Sequence, residues 1–193
     1  MILIVHEIIK KDNSLNNFNK NHYINQYHQK CQKILRDNSW LAEDLQRMLD
    51  KSRHYQIENN FKKWVNLHNP FVEVINFMEE LSKKEIKTGI ITTKGMEFAE
   101  KILKELNIFP EFIFGYESGT KIEIAEELTR AYEILGFIED RRKTLIDIKQ
   151  NSETSHIPCF LADWGYLKES DRDNLNNGIK LLKLRNIEEL VAI

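Results

Sequence analysis

Glycine and proline are scarce in this 193-residue sequence, and their distribution is uneven. Three prolines and seven glycines occur, and none of them precedes Pro70. Because both residue types interrupt helices, their absence from the first part of the chain excludes a turn-rich region there. Apolar residues recur at helical spacing between residues 14 and 66. We therefore expect this part to be predominantly helical, with no more than one strand.

Cysteines and long apolar runs are also few. The two cysteines, Cys31 and Cys159, lie in segments of different character, which suits a reducing cytoplasm better than a disulfide framework. No run reaches the length of a transmembrane helix, and residues 1–7 have neither the basic start nor the long apolar core of a signal peptide. The sequence thus predicts a cytoplasmic protein with no membrane as its partner.

Neither sign of charge is in marked excess. The 28 basic and 30 acidic residues are interspersed and leave a net charge of −2, so nothing in the composition calls for nucleic acid or an anionic membrane. The six histidines are scattered without the spacing of metal ligands. With 41% hydrophobic residues, the chain is long enough to bury a real core.

Short apolar segments alternate with amphipathic helical patterns after Pro70. This alternation requires a parallel sheet with right-handed crossovers and helices on both faces. The predicted fold class is α/β, a doubly wound parallel sheet preceded by a helical cap. We place the cap at residues 1–68 and the α/β core at residues 69–193. The predicted strands are residues 86–92, 111–115, 134–138, 157–162 and 180–184.

Polar residues follow three of these segments. The Ile-rich run before Thr92 reads as a central strand buried on both faces, and it ends in hydroxyls and a lysine. Lys121 opens a helix, and Glu139 with Asp140 closes a later strand. Ligands of open α/β sheets bind beyond the carboxyl ends of the strands, so we expect Thr92, Lys121 and Asp140 to converge on one crevice.

Each of these residues also fits a purely structural role. Thr92 could end a strand as a turn residue, and Lys121 could be a solvated lysine among glutamates. Glu139 and Asp140, followed by three basic residues, could be acids at the positive end of a helix. Residue type alone leaves these alternatives open.

Three motifs in order resemble the haloacid dehalogenase-like superfamily. They are an apolar strand ending in Thr92, the helix start at Lys121 after Gly119-Thr120, and the acidic pair Glu139-Asp140 after a strand. The stretches at residues 91–94, 139–145 and 160–166, the last reading Phe-Leu-Ala-Asp-Trp-Gly-Tyr, resemble a cyanobacterial branch of that superfamily. Three motifs on the right elements make the match specific.

The resemblance implies a Rossmann-like core that hydrolyses phosphomonoesters through a phospho-aspartate, with magnesium beside it. Phosphate would be held by Thr92, Thr93 and Lys121, and the metal by Asp140 with Glu139. Lys94, Asp163 and Trp164 would form the site wall. The implied substrate is a small phosphorylated molecule. This chemistry requires charge neutralisation and alignment, which a cation, hydroxyls and a hard metal can supply.

The first motif of the superfamily, Asp-x-Asp at the end of an apolar first strand, is missing. One interpretation makes residues 1–9 that strand, with His6 and Glu7 in place of the aspartates. The other makes this segment a cap helix and places the strand upstream of Met1, as in a truncated chain. The look-alike sequences favour the second interpretation.

Without the nucleophile we expect no turnover. The alternative to a phosphohydrolase is a non-catalytic protein that holds a partner strand or a phosphorylated ligand in the same crevice. A Rossmann-type nucleotide binder is disfavoured because no Gly-x-Gly-x-x-Gly follows a strand. Omission of a central strand would leave two open strand edges, unless the flanking strands close up or residues 1–9 fill the space.

Overall fold

The computed structural model describes residues 27–175 and 178–192. The chain divides into two compact units, Met1–Asn59 and Asn60–Ile193. Helix α1 spans Tyr27–Asp37, and helix α2 spans Ala42–Val65 with a kink at Asn60. The helical prediction is thus confirmed for residues 27–65. The predicted boundary between residues 68 and 69 stays a prediction.

Helix α2 begins with an internal cap. The carboxylate of Asp44 accepts a hydrogen bond from the backbone N–H of Leu41 at 3.0 Å and pairs with Arg47. Both interactions favour the ionised carboxylate, and the backbone hydrogen bond contributes most to lowering the pKa of Asp44. The first turn of α2 therefore carries a negative charge where the helix dipole is positive.

Short strands alternate with helices in the second unit, as predicted, and the α/β class is confirmed. The strands are three or four residues long and therefore shorter than the apolar segments that predicted them, and β3 and β5 each extend one residue beyond the predicted bounds. In chain order the elements are α3 Val72–Lys83, β1 Gly89–Ile91, α4 Met96–Glu105, β2 Phe112–Phe114, α5 Lys121–Thr129, β3 Phe137–Glu139, α6 Arg142–Gln150, β4 Cys159–Ala162 and β5 Ile179–Leu182, followed by a 3-10 helix over Leu184–Ala192.

The helices bury their apolar faces at the predicted spacing. In α4, Phe98, Ala99 and Ile102 are buried, which places one stripe of the helix against the sheet. In α6, Leu145 and Ile148 are completely buried three positions apart. Helical periodicity in the sequence therefore identified the faces that form the core.

The five strands form two parallel sheets. One contains β1 and β2, with Ile90 opposite Ile113, and the other has the order β3-β4-β5. Among the described residues, no strand pairs with the edge of β1 that faces away from β2. Gly89 is exposed and Ile90 and Ile91 are only half-buried, so the expected burial of β1 on both faces was wrong, whereas its central position in the sheet stays a prediction. Burial requires a neighbour on each side, which the apolar run by itself does not guarantee.

The central strand of the structure is β4. All four of its residues are buried, and β3 and β5 pair with its two edges. Helices α5 and α6 cover one face. That core contains Ala125, Leu145, Ile148, Ile157, Cys159, Leu161 and Ile179.

The other face of β4 carries Phe160, which packs with Phe77 of α3 and with Leu182 and Ile187 near the carboxyl terminus. Nothing among the described helices is long and apolar enough to cross a lipid bilayer.

Candidate functional site at the carboxyl edge of the strands

Thr92 lies directly beyond β1. Its backbone N–H donates to the carbonyl of Phe114 at the end of β2 (2.9 Å), which extends the ladder by one residue. Its hydroxyl oxygen accepts from the backbone N–H of Lys94 at 3.1 Å, so the side chain closes a tight turn. Thr93 is exposed within this turn, and the carbonyl of Lys94 accepts from Tyr116. The turn is thereby tied to both strands of the first sheet.

The amino end of α4 is already capped by an internal anion, a feature the sequence analysis did not anticipate. The carboxylate of Glu117, which lies in the loop after β2, accepts from the backbone N–H of Met96 at 2.7 Å. This amide belongs to the first turn of α4, whose N–H groups have no partner within the helix. An acid a few residues beyond the neighbouring strand is the only sequence signal for such a cap. The first amide of α4 is therefore already satisfied within the chain.

A capping box places Lys121 at the first position of α5. Gly119 has φ +109°, a left-handed conformation that favours glycine, and it turns the chain toward the helix. The backbone N–H and the hydroxyl of Thr120 both donate to Glu123, while the Thr120 oxygen accepts from the Glu123 N–H. These bonds lower the pKa of Glu123, and the backbone hydrogen bond is the largest cause. The helix start, and with it Lys121, is locally determined.

Lys121 forms an ion pair with Glu139 at the end of β3. The side chain of Glu139 is only 4% exposed and that of Lys121 is 23% exposed. The second oxygen of Glu139 accepts from the backbone N–H of Arg141 at 3.0 Å. A buried carboxylate with both oxygens bonded holds the lysine ammonium at the carboxyl edge of the strands.

Asp140 contacts the loop that follows β4. Its Oδ2 accepts from the backbone N–H of Tyr166 at 3.1 Å. A Cβ atom placed on Gly165 would lie 2.1 Å from the Cβ of Asp140, so only glycine allows this approach. The tips of β3 and β4 are therefore joined at Asp140.

The two predicted wall residues of that loop are held by different neighbours. Asp163 accepts from the guanidinium of Arg172, and its backbone N–H donates to Leu182 at 2.9 Å. Trp164 is half-buried and its ring meets that of Phe71 edge to face at 6.4 Å between centroids. Trp164 thus packs against the start of α3.

Arg142 organises the rest of this loop. Its guanidinium donates to the backbone carbonyls of Ser170, Asp171, Asp173 and Asn174, over distances of 2.6 to 3.5 Å. A single side chain therefore fixes the segment that returns to β5. The sequence analysis had treated Arg142 only as one of three basic residues after the acidic pair.

The structure joins some of the predicted site residues and leaves others apart. Lys121 meets Glu139, and Asp140 meets the loop that carries Asp163 and Trp164. No described hydrogen bond or ion pair links Thr92 to Lys121 or to Asp140. Their convergence on one crevice stays a prediction.

Closure of the sheet by direct pairing of β1 with β3 does not occur in the described chain. This alternative is therefore excluded for the described residues, in which β1 pairs with β2 and β3 pairs with β4. The alternative in which residues 1–9, with His6 and Glu7, fill the space lies outside the described residues.

The acids at the tip of β3 are engaged with neighbouring groups of the chain. Both oxygens of Glu139 accept hydrogen bonds, one of them from a lysine ammonium, and one oxygen of Asp140 is bonded to Tyr166. Over residues 27–175 and 178–192, no three His, Cys, Asp or Glu side chains cluster as metal ligands. Magnesium needs free carboxylate oxygens, and Lys121 would have to leave Glu139 first.

One Asp-x-Asp sequence does occur, at Asp171-Arg172-Asp173, in the segment between β4 and β5. It begins in a short 3-10 helix, and the carboxylate of Asp171 accepts from the N–H of Lys168. The pair therefore does not follow an apolar strand, and it does not replace the missing first motif.

Comparison with curated proteins found no match, and comparison with solved structures found none either. The family model of the haloacid dehalogenase-like hydrolases matches residues 2–152, which cover more than half of the chain. This match agrees with the resemblance carried by Thr92, Lys121 and the acidic pair, and with the α/β core. The chain belongs to the haloacid dehalogenase-like hydrolase family.

Proposed function

We propose that the carboxyl edge of the strands binds the phosphate of a small phosphorylated molecule, and that this chain by itself does not hydrolyse it. One observation carries the proposal: the ammonium of Lys121 is held by the buried carboxylate of Glu139 at the end of β3. A lysine fixed in this place supplies the charge neutralisation that a phosphoryl group requires.

Thr92 is the second proposed phosphate ligand. Its hydroxyl is half-buried beyond β1, and the turn that it closes is bonded to the end of β2. The hydroxyl hydrogen is available to donate, since the bond from Lys94 uses only an oxygen lone pair. Thr93, exposed in the same turn, is a further candidate ligand.

Phosphate competes with Glu139 for Lys121. The side chain of Lys121 is 23% exposed, so an anion can approach its ammonium group from the solvent. Replacement of Glu139 by glutamine removes the competing charge and keeps an oxygen that can accept from Arg141. We therefore expect Glu139→Gln to bind phosphate more tightly and Lys121→Met to bind it more weakly.

Titration calorimetry with inorganic phosphate tests this site. We expect Lys121→Met to weaken binding by about tenfold, since it removes a charged ligand. Lys143→Met is the matched control, because Lys143 is a solvent-exposed lysine also paired with a carboxylate. The proposal fails if both lysine variants bind phosphate as the native chain does.

The proposed lack of turnover rests on the absence of an Asp-x-Asp pair at the end of an apolar strand. We expect no hydrolysis of p-nitrophenyl phosphate with added magnesium. Turnover that survives repurification and disappears in Asp140→Asn would overturn this part of the proposal, and His6 would be the first candidate nucleophile to test. A cytoplasmic location, suggested by the two cysteines in segments of different character, belongs to the same proposal.

A further inference from the structure

Tyr166 lies in the loop that follows β4, and it is the most exposed of the described large apolar and aromatic residues, at 92%. Trp164, which precedes it in the same loop, packs against Phe71. Within the part of the chain that the structure describes, no side chain stacks on the ring of Tyr166 or bonds to its hydroxyl. Single exposed aromatic residues are ordinary on protein surfaces, so the place of this one decides what it means.

The backbone on both sides of Tyr166 is fixed. The N–H of Leu167 donates to the carbonyl of Gly165 at 3.0 Å, so Tyr166 is the central residue of a tight turn. Leu167 packs against the core that contains Leu161, and Gly165 closely approaches Asp140. The exposed side chain is thus carried by a backbone that the fold holds in place.

This turn is bonded to the proposed phosphate site. The backbone N–H of Tyr166 donates to Asp140 at 3.1 Å, and Asp140 directly follows Glu139 in the chain. Glu139 forms the ion pair with Lys121. One hydrogen bond, one peptide unit and one ion pair therefore separate the backbone of Tyr166 from the ammonium that is proposed to bind phosphate. A small ligand can contact both residues at once.

We propose that Tyr166 determines the specificity of this site, because its ring stacks on an aromatic ring of the bound phosphorylated molecule. The inference rests on the proposed phosphate site at Lys121. Tyrosine suits this role, since its flat ring offers a large contact area and only two side-chain torsions become fixed on binding. A nucleobase presents a matching face, and stacking on an aromatic side chain is a substantial source of affinity for any base. The ligand class is therefore a phosphate ester that carries such a ring, as a nucleoside monophosphate does.

A free small molecule fits this site better than the end of a nucleic acid. The 28 basic and 30 acidic residues leave a net charge of −2, so the chain lacks the excess of positive charge that nucleic-acid-binding domains carry. The phosphate of a free nucleotide needs only the ammonium of Lys121, whereas a strand requires a row of cations along its backbone.

Titration calorimetry on the full chain compares inorganic phosphate, ribose phosphate and adenosine monophosphate. All three carry the phosphate group, and only the last carries an aromatic ring. We expect adenosine monophosphate to bind at least about fivefold more tightly than ribose phosphate, because the base gains the stacking contact. Lys121→Met should weaken the binding of all three probes, since each is held through its phosphate.

Variants of Tyr166 separate the ring contact from the phosphate contact. We expect Tyr166→Ala to reduce the preference for adenosine monophosphate over ribose phosphate to less than about twofold, and Tyr166→Phe to retain it, because phenylalanine keeps the ring. Phe109→Ala is the matched control. Phe109 is also an exposed aromatic residue, at 76%, but it lies before the amino end of β2, away from the carboxyl edge. This control should retain the preference.

Nitration by tetranitromethane, located by mass spectrometry, reports whether the ring of Tyr166 is open to a ligand. We expect Tyr166 to be nitrated in the ligand-free chain and to be protected by adenosine monophosphate but not by inorganic phosphate. Protection without any ligand would mean that another part of the chain covers the ring, and it would overturn the inference.

Three further results would also overturn it. Equal affinities for all three probes would remove Tyr166 from the site and leave the phosphate site intact. Retention of the preference in Tyr166→Ala would assign the ring contact to another residue. Tighter binding of an oligonucleotide with a terminal phosphate would assign the ring to the end of a nucleic acid. If none of the probes binds, the proposed phosphate site fails, and this inference fails with it.

Discussion

At the scale of single residues, the ion pair of Lys121 and Glu139 is the feature on which the proposed phosphate site depends. Both are charged and removed from most of the solvent, so each depends on the other for its charge to be tolerated. Removing one partner leaves a buried charge without a counter-charge, whereas removing both charges avoids the cost of burying an unpaired charge.

We expect Lys121→Met to lower the free energy of unfolding by about 2–3 kcal/mol, because Glu139 then stays buried without a counter-charge. The double variant with Glu139→Gln should recover part of this loss. Lys143→Met, whose side chain is 73% exposed, should cost less than about 0.5 kcal/mol. Urea unfolding measures all three, and equal costs for the two lysine variants would contradict the prediction.

The two cysteines differ in accessibility. Burial raises the pKa of the Cys159 thiol above its usual value of 9.0, and nearby Lys149 offsets only part of this rise. Cys31 is partly exposed. With iodoacetamide near neutral pH we expect Cys31 to be alkylated in the folded protein, and Cys159 only after unfolding.

The same shift has a consequence for stability. The pKa of Cys159 is higher in the folded than in the unfolded state, so its neutral thiol contributes fully to the free energy of unfolding below the ordinary pKa of 9.0. This contribution is lost as the pH rises through the pKa of the folded state. Stability should therefore fall less steeply above pH 9.0 in Cys159→Ala than in the native chain. Parallel slopes, or alkylation of Cys159 in the folded protein, would argue against a desolvated thiol.

At the scale of elements, the strand tips are fixed by local devices that differ from strand to strand. The tip of β1 closes through the Thr92 hydroxyl, and α5 begins with the capping box of Thr120 and Glu123. The tip of β3 is held by the close approach of Gly165 to Asp140. Each device positions one predicted site residue.

We expect Gly165→Ala to destabilise the fold by about 1–3 kcal/mol, since the added methyl group overlaps Asp140 and forces the β4 loop away. Gly89→Ala is the matched control, because a Cβ there meets its nearest atom at an ordinary 3.7 Å. Thermal unfolding compares the two. Equal melting temperatures would show that the loop adapts without cost.

At the scale of the whole molecule, burial is concentrated away from β1. The largest fully buried side chains all lie between Ile124 and Ile187, in the part built around β4. The strand β1 is only partly buried, and β2 is its sole strand partner among the residues that the structure describes.

This gradient predicts the pattern of native-state hydrogen exchange. We expect the slowest amides in β4, which is paired on both edges and buried throughout. The amides of Gly89 and Ile91 should exchange faster than those of Phe160 and Leu161, because no strand pairs with their edge in the described structure. NMR exchange rates measure this order, and equal protection of β1 and β4 would refute it.

Much of this architecture could be predicted from residue patterns. Helical periodicity located α3, α4 and α6, and apolar runs located all five strands to within a few residues. The Gly119-Thr120-Lys121 turn indicated the start of α5. These features depend on neighbours in sequence, so local patterns carry them.

The arrangement of the strands could not be predicted in the same way. The apolar run at Ile90 and Ile91 suits a strand with one neighbour as well as a strand with two. The ion pair of Lys121 with Glu139, the cap that Glu117 places on α4, and the contact of Gly165 with Asp140 join residues 18 to 25 positions apart. No periodicity relates such partners.

The sequence by itself determined the α/β class, the helical region before it and the residue types at the strand tips, because each follows from local spacing and composition. Only the tertiary structure decided that β4 is the centre of the described core and that β1 does not pair with β3. It also decided that Lys121 is engaged by Glu139. These properties arise from which surfaces meet when the chain is compact, and the free energy of burying a group depends on all of its neighbours at once.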